Sequence, residues 1–260
     1  MTSITRPSTV AVTDDDVPKR PSRLRRTVDA AGVQNVSLLI ALGALVAIIG
    51  AQNSDFFLVS NIKTIGTTVS IVGVLAVVQT LVMLIGGLDI SVGSAAGLTS
   101  VVSAMVFTSQ HSAGVGILAA LGVGVLTGTF NGVVIIYGRV NAVIATLATY
   151  AGYRGLADLI SNGRAQGYTG TDSTFVFIAR GALASIPTLI WILVVISLAV
   201  HLLLRYTDIG RNIYAIGGNP TAARLAGINL NRYAIGCYIA AGVIAALAGI
   251  MLTARTGSGQ

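Results

Sequence analysis

The stretch TIGTTVSIVGVLAVVQTLVMLIG, residues 64–86, decides the fold class of this chain. It contains no charged residue, and it is long enough for a helix to cross the hydrocarbon core of a bilayer, which takes about 20 residues. Similar stretches recur along the chain without the apolar–polar alternation of a membrane-spanning strand. The predicted membrane segments are 33–52, 64–86, 89–109, 114–138, 141–161, 183–204 and 232–254. The sequence therefore predicts an all-α, polytopic transmembrane helical bundle.

The composition also indicates an integral membrane protein. Hydrophobic residues make up 54% of the 260 residues and charged residues only 10%, whereas soluble domains carry about 25% charged residues. So few charges cannot cover a surface that faces water. The 31 glycines suit membrane helices that pack closely. The single cysteine, Cys237, lies in an apolar stretch and is predicted to be a packing residue.

The distribution of basic residues predicts the orientation of the chain. The net charge is +7, and a cluster of Lys and Arg lies within residues 1–32, before the first apolar segment. By the positive-inside rule, residues 1–32 are expected to be a disordered cytoplasmic tail. Residues 33–260 are expected to form one transmembrane domain in contact with lipid, and alternating crossings place the arginine-containing loop 205–231 in the cytoplasm. Topology thus explains the positive charge, and no nucleic-acid partner is expected.

The stretch MLIGGLDISVGSAAGLTS, residues 83–100, contains an acid between two apolar segments. Gly86 and Gly87 weaken helix continuity, and Asp89 can then accept hydrogen bonds as the N-cap of the next helix. One interpretation is a helix break beside a solute path, where backbone groups and the acid face a wet cavity. The other is a tight turn with a purely structural cap. Gly93 and Gly97, four residues apart, permit close helix contact.

The stretch from 124 to 155 combines a small-residue ridge with polar side chains. Gly124, Gly128 and Gly132 share one helix face and are predicted to pack against another helix. Asn131 beside them needs a hydrogen-bond partner, either another helix or a passing solute. The residues predicted to line a translocation path are Gly86, Gly87, Asp89, Ser91, Gly93, Ser94, Asn131, Asn141 and Thr146. Further along, Arg154 and Asp158 are four residues apart and can pair on one helix face.

The loop 205–231 contains the signals of a short helix. Asn219 is a good N-cap, Pro220 suits the first helical position and Gly227 suits a left-handed stop. A helix of about two turns is not stable alone in water. Because its face is formed by small alanines, it is predicted to dock into a groove of another protein. The alternative, a helix lying on lipid headgroups, would need larger apolar residues and more Lys.

Other chemistry is weakly supported. His111 and His201 are unclustered, so neither a metal site nor a catalytic pair is predicted. The phosphate-binding pattern G-x-x-x-x-G-K-[ST] is missing from the sequence, and the chain is not expected to bind ATP by that route or to be an enzyme.

Three motifs carry a family resemblance: GGLDISVGSAAGL, NGVVIIYGRVNAVIATLAT with YRGLADLISNG, and GRNIYAIGGNPTAARLAGINLNR with YIAAGVIAALAGIMLTAR. In this order, across about residues 64–255, they resemble the ribose/xylose-type permeases of bacterial ABC importers, within the branched-chain-amino-acid and sugar permease superfamily. The resemblance implies a multi-pass permease subunit of the bacterial inner membrane. It implies three partners: a cytoplasmic ATPase that binds ATP and Mg, a periplasmic or lipid-anchored sugar-binding protein, and a second permease copy. Family members carry further membrane segments beyond the position of Arg255, so the chain is expected to be C-terminally incomplete.

The resemblance also assigns the short helix to ATPase coupling. The residues expected at that contact are Gly218, Asn219, Pro220, Thr221, Ala222, Ala223, Arg224, Leu225, Ala226 and Gly227.

The expected function is import of a sugar or related polyol, driven by the ATPase. One alternative is a secondary transporter, which needs an ion relay, although the segments offer only Asp89 and Asp158 as acids and no Glu. A second alternative, an intramembrane hydrolase, would need a Ser and His201 held together. Pentoses, hexoses, polyols and signalling sugars all remain open as substrates.

Overall fold

All the long secondary-structure elements that the structure describes are α-helices. The computed structural model describes residues 33–110, 112–167 and 173–259, so the predicted tail 1–32 and His111 lie outside the described residues. The helices are α1 (Val33–Gln52), α2 (Val59–Leu84), α3 (Val92–Gln110), α4 (Ala113–Ile136), α5 (Ala142–Ser161), α6 (Ser173–Arg180), α7 (Thr188–Tyr206), α8 (Asp208–Gly218), α9 (Pro220–Leu225) and α10 (Leu230–Thr256). A 3-10 turn covers Ser54–Phe57. The two-residue strands β1 (Gln166–Gly167), β2 (Ala182–Leu183), β3 (Ile186–Pro187) and β4 (Ser258–Gly259) pair as β1 with β4 and β2 with β3, both antiparallel.

The chain divides into two compact units, with the boundary between Asn61 and Ile62. The described part of the first unit contains α1, in whose membrane-spanning stretch no residue is buried. A 3-10 turn follows, because Asn53 caps it by accepting from the Asp55 N–H at 3.0 Å. The Asn61 side-chain amide donates to the Phe56 carbonyl at 2.8 Å and closes this short connection. An apolar helix exposed along its whole length is typical of a segment surrounded by lipid.

Six described helices are long and apolar enough to cross a membrane: α1, α2, α3, α4, α7 and α10. The seventh predicted segment, 141–161, is the 20-residue helix α5, which lacks the required hydropathy. Its charged pair, Arg154 and Asp158, and its Thr and Tyr residues lower its apolar character. The prediction of a helix over this segment is confirmed.

The core of the second unit is built on close contacts between α10 and α4. A methyl group on Gly124 would collide with the carbonyl of Gly242, and one on Gly128 would collide with the carbonyl of Tyr238. Gly132, one turn later, lies against Ile235. The glycine ridge of α4 therefore meets the backbone of α10 directly, at a separation that larger residues would prevent.

The same helix, α10, also packs against α3. A side chain at Gly249 would collide with Thr99 and the Ala96 carbonyl. Further along, the Thr253 hydroxyl lies 2.8 Å from that of Ser100 and 3.1 Å from that of Ser103, all three buried. Hydroxyl contacts of this kind connect membrane helices where apolar burial supplies little driving force.

Helix α5 runs beside α3 across the same thickness of the second unit. Near its start the Thr146 hydroxyl lies 3.5 Å from the Leu88 carbonyl, just before α3. Just after its end, Gly167 accepts a hydrogen bond from Thr108 at 3.3 Å, near the end of α3. The loops of the second unit thus fall at two opposite ends. We call them the α8 end (residues 84–92, 136–142 and 206–230) and the β4 end (residues 112–113, 161–167 and 256–259).

The glycine contact predicts an asymmetry between two positions on α4. Gly128→Val should destabilise the chain by about 2 kcal/mol or more, because the new side chain meets backbone that cannot move aside. Gly122→Val is the matched control, since a side chain there points into open space. Unfolding of the purified protein in mixed micelles measures the free energy of unfolding of both variants. Equal destabilisation by the two variants would contradict this packing.

Candidate functional site

The connection between α2 and α3 is a true helix break. Gly86 has φ +77°, a conformation that glycine adopts without strain. The Gly86 N–H donates to Met83 at 2.9 Å and the Gly87 N–H donates to Val82 at 3.0 Å. These bonds satisfy the last carbonyls of α2 and end it cleanly. A side chain on Gly87 would lie 2.8 Å from the Tyr238 hydroxyl oxygen, so this loop lies directly against α10.

Asp89 is buried at the end of this loop, with 6% of its surface exposed. One carboxylate oxygen, Oδ1, accepts from the Ser91 N–H at 2.9 Å and from the Ser91 hydroxyl at 2.6 Å. The acid therefore orders the turn just before α3. It does not cap the first turn of α3, because Ser91 precedes the first helical residue, Val92. The expected N-cap geometry is wrong in that detail.

Asn131 joins this loop to two other helices. Its Nδ2 donates to the Ser91 hydroxyl at 2.8 Å and lies 3.4 Å from Asp89 Oδ2. Its Oδ1 accepts from the Tyr153 hydroxyl at 3.1 Å, and the same hydroxyl lies 3.0 Å from the Thr127 carbonyl. We call Asp89, Ser91, Asn131 and Tyr153 the polar cluster. It connects the α2–α3 loop, α4 and α5, and each member finds a partner within the protein.

A small cavity of about 10 Å³ adjoins the polar cluster. It is lined by Asp89, Ser91, Thr127 and Asn131, together with small residues of α3, α4 and α10. A space of this size holds about one water molecule. In this conformation the cluster is therefore closed, and a sugar does not fit beside it.

The remaining residues of the predicted path are distributed unevenly. Thr146 is buried and bonds the Ala142 carbonyl at 2.8 Å, and Ser94 bonds the Ser91 carbonyl at 2.9 Å. Asn141 is the N-cap of α5 and accepts from the Val143 N–H at 2.9 Å, away from the cluster. Gly93 is exposed and faces open space, so no close helix contact forms there. The structure thus gathers Asp89, Ser91 and Asn131, and leaves Asn141 and Gly93 at the surface.

Sequence reasoning missed two members of this region. Tyr153 belongs to the polar cluster, and the Tyr238 hydroxyl is buried nearby without a hydrogen-bond partner among the described residues. A tyrosine within an apolar stretch needs a partner for its hydroxyl, and that requirement was the available signal. Its partners lie on other helices, however, and could not be read from spacing.

The predicted short helix is confirmed as α9. Asn219 accepts from the Ala222 N–H at 3.0 Å, Pro220 is the first helical residue, and Gly227 adopts φ +83° just beyond the end. Its side chains divide into two faces. Ala223 is buried against its own chain, with 4% exposed, whereas Leu225 is 85% exposed.

The helix before it, α8, was not predicted separately, and it is fixed at both ends. A side chain on Gly210 would collide with the Leu204 carbonyl of α7, and one on Gly217 would collide with the Leu84 carbonyl of α2. Between these points the Asn212 amide donates to the Tyr233 hydroxyl of α10 at 2.6 Å. These contacts connect α8, and α9 directly after it, to three membrane-crossing helices.

The charged residues form no metal site. Within 33–110, 112–167 and 173–259 no group of three or more His, Cys, Asp or Glu side chains comes together. Arg154 and Asp158 form the expected i,i+4 ion pair at 3.5 Å, with both side chains more than half exposed. A pair in that position contributes little to stability.

Comparison with known proteins gives consistent matches. Residues 61–260 match the family described as "Branched-chain amino acid transport system / permease component". The ribose import permease protein RbsC of Escherichia coli strain K12 is 38% identical over 91% of this chain and 74% of its own length. The L-arabinose transport system permease protein AraH of the same strain is 34% identical over 97% of this chain and 75% of its own length.

A third relative is the autoinducer 2 import system permease protein LsrC of Yersinia enterocolitica. It is 34% identical over 84% of this chain and 60% of its own length. No solved structure gives a significant match.

The polar cluster predicts different effects for two tyrosines of α5. Tyr153→Phe should destabilise the chain by about 1 kcal/mol, because Asn131 and Thr127 lose a buried donor. Tyr150→Phe is the control, since its side chain is 47% exposed. Unfolding in mixed micelles would show the difference. A Tyr153→Phe variant as stable as Tyr150→Phe would mean that the hydroxyl contributes nothing.

Proposed function

The chain belongs to the family of permease components of branched-chain amino acid transport systems, and we propose that it imports a sugar or related polyol in an ATP-driven system. It is a multi-pass membrane transport component. The observation that carries the substrate class is the set of relatives, which are named as permeases for ribose, L-arabinose and autoinducer 2.

The proposed assembly places this chain in the bacterial inner membrane with its N-terminus in the cytoplasm. A second copy of the permease, an ATPase that binds ATP and Mg, and an external sugar-binding protein complete it. The α8 end would then face the cytoplasm, in agreement with the arginines of 205–231 and the positive-inside rule. In this proposal the ATPase, and not the permease, holds both ATP and Mg.

The face of α9 turned away from its own chain is the proposed ATPase contact. Leu225 is a large apolar side chain with 85% of its surface exposed on a two-turn helix. Thr221, Ala222 and Ala226 are exposed beside it. An exposed leucine surrounded by small residues offers a protruding anchor that a groove can enclose.

Movement of α9 has a direct physical route to the polar cluster. Gly217, two residues before the N-cap of α9, touches the carbonyl of Leu84. Leu84 is the last residue of α2, and the loop to Asp89 begins immediately after it. When the ATPase pair closes, displacement of α8 and α9 would therefore move the end of α2 and open the cluster around Asn131.

The ATPase contact predicts that Leu225→Ala weakens binding of the ATPase by about tenfold, because a leucine that docks contributes about 1.5–3 kcal/mol. The permease itself should stay as stable as before, since this side chain has few contacts within it. Leu159→Ala, 74% exposed at the β4 end, is the matched control. Co-purification of the ATPase with each variant measures the effect.

Glutamate substitutions of the alanines of α9 provide a second test of the ATPase contact. Ala222→Glu and Ala226→Glu should also weaken ATPase binding, whereas Ala165→Glu in the β4-end loop should not. Ala223→Glu should instead destabilise the permease, because Ala223 is buried within its own chain. Normal ATPase binding by Leu225→Ala, Ala222→Glu and Ala226→Glu together would refute the assignment of α9.

The proposed path predicts that Asn131→Leu lowers uptake by about tenfold. Asp89 and Tyr153 each lose a hydrogen-bond partner, and a buried polar group without a partner costs about 1–3 kcal/mol. The variant complex should still assemble and hydrolyse ATP. Uptake by assembled transporter in proteoliposomes, beside its ATPase rate, measures this. Normal uptake would reduce Asn131 to a packing residue.

A further inference from the structure

A basic cavity of about 470 Å³ lies at the corner where α7 ends and α8 begins. It is lined by His201, Leu204, Arg205, Arg211 and Tyr214. Leu204 is largely buried in the core, and the other four side chains carry hydrogen-bond donors. No carboxylate lines this cavity.

The charge of this corner is positive. Arg211 pairs with Asp208 three residues earlier, and both side chains are largely exposed. Arg205 forms no ion pair with any residue of the described ranges. Two guanidinium groups against one carboxylate leave an unbalanced positive charge. Guanidinium donors match phosphate oxygens in pairs, so phosphate is the favoured anion.

The corner is held rigidly in shape. The Thr207 hydroxyl donates to the Leu203 carbonyl at 2.6 Å and accepts from the Gly210 N–H at 3.2 Å. Gly210 permits α8 to lie directly against the Leu204 carbonyl. The two arginines, one on each helix, are therefore held on either side of a fixed turn, which lowers the entropy lost when an anion binds.

The cavity lies at the end of a membrane-crossing helix, which is where lipid headgroups are expected. His201 and Arg205 belong to the last turns of α7, a membrane-crossing helix that ends at Tyr206. The side chains of Tyr206 and Tyr214 are 69% and 52% exposed, as is typical of aromatic residues at a membrane interface. Because His201 lies one turn inside the end of the span, a soluble protein would reach this cavity less readily than a lipid headgroup would.

We propose that this corner binds the phosphate of an anionic phospholipid of the cytoplasmic leaflet. Arg205 and Arg211 hold the phosphate, and Tyr214 donates a further hydrogen bond. Anionic lipids are attracted to basic residues of this kind at the cytoplasmic surface. The proposal rests on the cytoplasmic orientation of the α8 end.

The test uses the full permease in detergent and adds phosphatidylglycerol or phosphatidylcholine, followed by thermal unfolding and lipid counting by native mass spectrometry. Phosphatidylglycerol should bind the permease more tightly than phosphatidylcholine. The double variant R205Q/R211Q should lose about tenfold in affinity for phosphatidylglycerol. The charge-matched control R139Q/R232Q, which also removes two arginines at or next to the α8 end, should keep it.

Three outcomes would overturn the lipid site. The first is equal phosphatidylglycerol affinity in both double variants, which would indicate a non-specific charge effect. The second is binding of inorganic phosphate as tight as that of phosphatidylglycerol, which would indicate a free-anion site. The third is unchanged lipid affinity in R205Q/R211Q with loss of the ATPase, which would indicate a protein contact. Orientation is tested separately: a cysteine at Thr221, in a Cys237→Ser background, should escape external labelling in intact cells.

Discussion

The backbone contact between α4 and α10 is the constraint on which the second unit depends. Glycine faces glycine at Gly124 and Gly242, and Gly128 lies against the Tyr238 carbonyl. This separation sets the width of the cavity beside the polar cluster, whose lining includes Gly128 and Gly242. It also places Asn131, three residues after Gly128, at the level of the α2–α3 loop. The functional region is thus a consequence of how closely two helices can approach.

Burial makes the polar cluster sensitive to that geometry. Asp89 and Asn131 are buried, so bulk water does not replace a lost hydrogen bond and both side chains need partners from the protein. The partners come from three separate elements, and small displacements of one element change the bonds of all. A cluster of this kind has a well-defined closed state, which suits a gate whose opening is driven by an external source of energy.

The sequence predicted those features that local pattern determines. Helix-length apolar stretches predicted the helical bundle, and the residues Asn219, Pro220 and Gly227 predicted the short helix with its caps. It could not predict that α8 forms a separate helix, that Ala223 faces inward, or that Tyr153 joins Asn131, because each depends on a contact between distant segments. Part of the weak hydropathy of α5 has the same origin, since Thr146 and Tyr153 bond partners in other elements, whereas Arg154 and Asp158 are exposed.

The alternative mechanisms find little support in the placement of the ionisable groups. A secondary transporter would need a relay of acids. Asp158 is instead exposed on α5 and paired with Arg154, and it does not belong to the polar cluster that contains Asp89. A hydrolase would need a histidine beside a serine, and His201 lies with arginines at the α7–α8 corner. The contacts of α8 and α9 instead provide a route by which a partner on that side can act on the α2–α3 loop.

The most direct test of this account is uptake by the assembled transporter in proteoliposomes, with ATP and with ion gradients supplied independently. The account predicts that uptake requires ATP on the side of α9 and continues unchanged when proton and sodium gradients are abolished. Uptake driven by an ion gradient in the complete absence of ATP would contradict it.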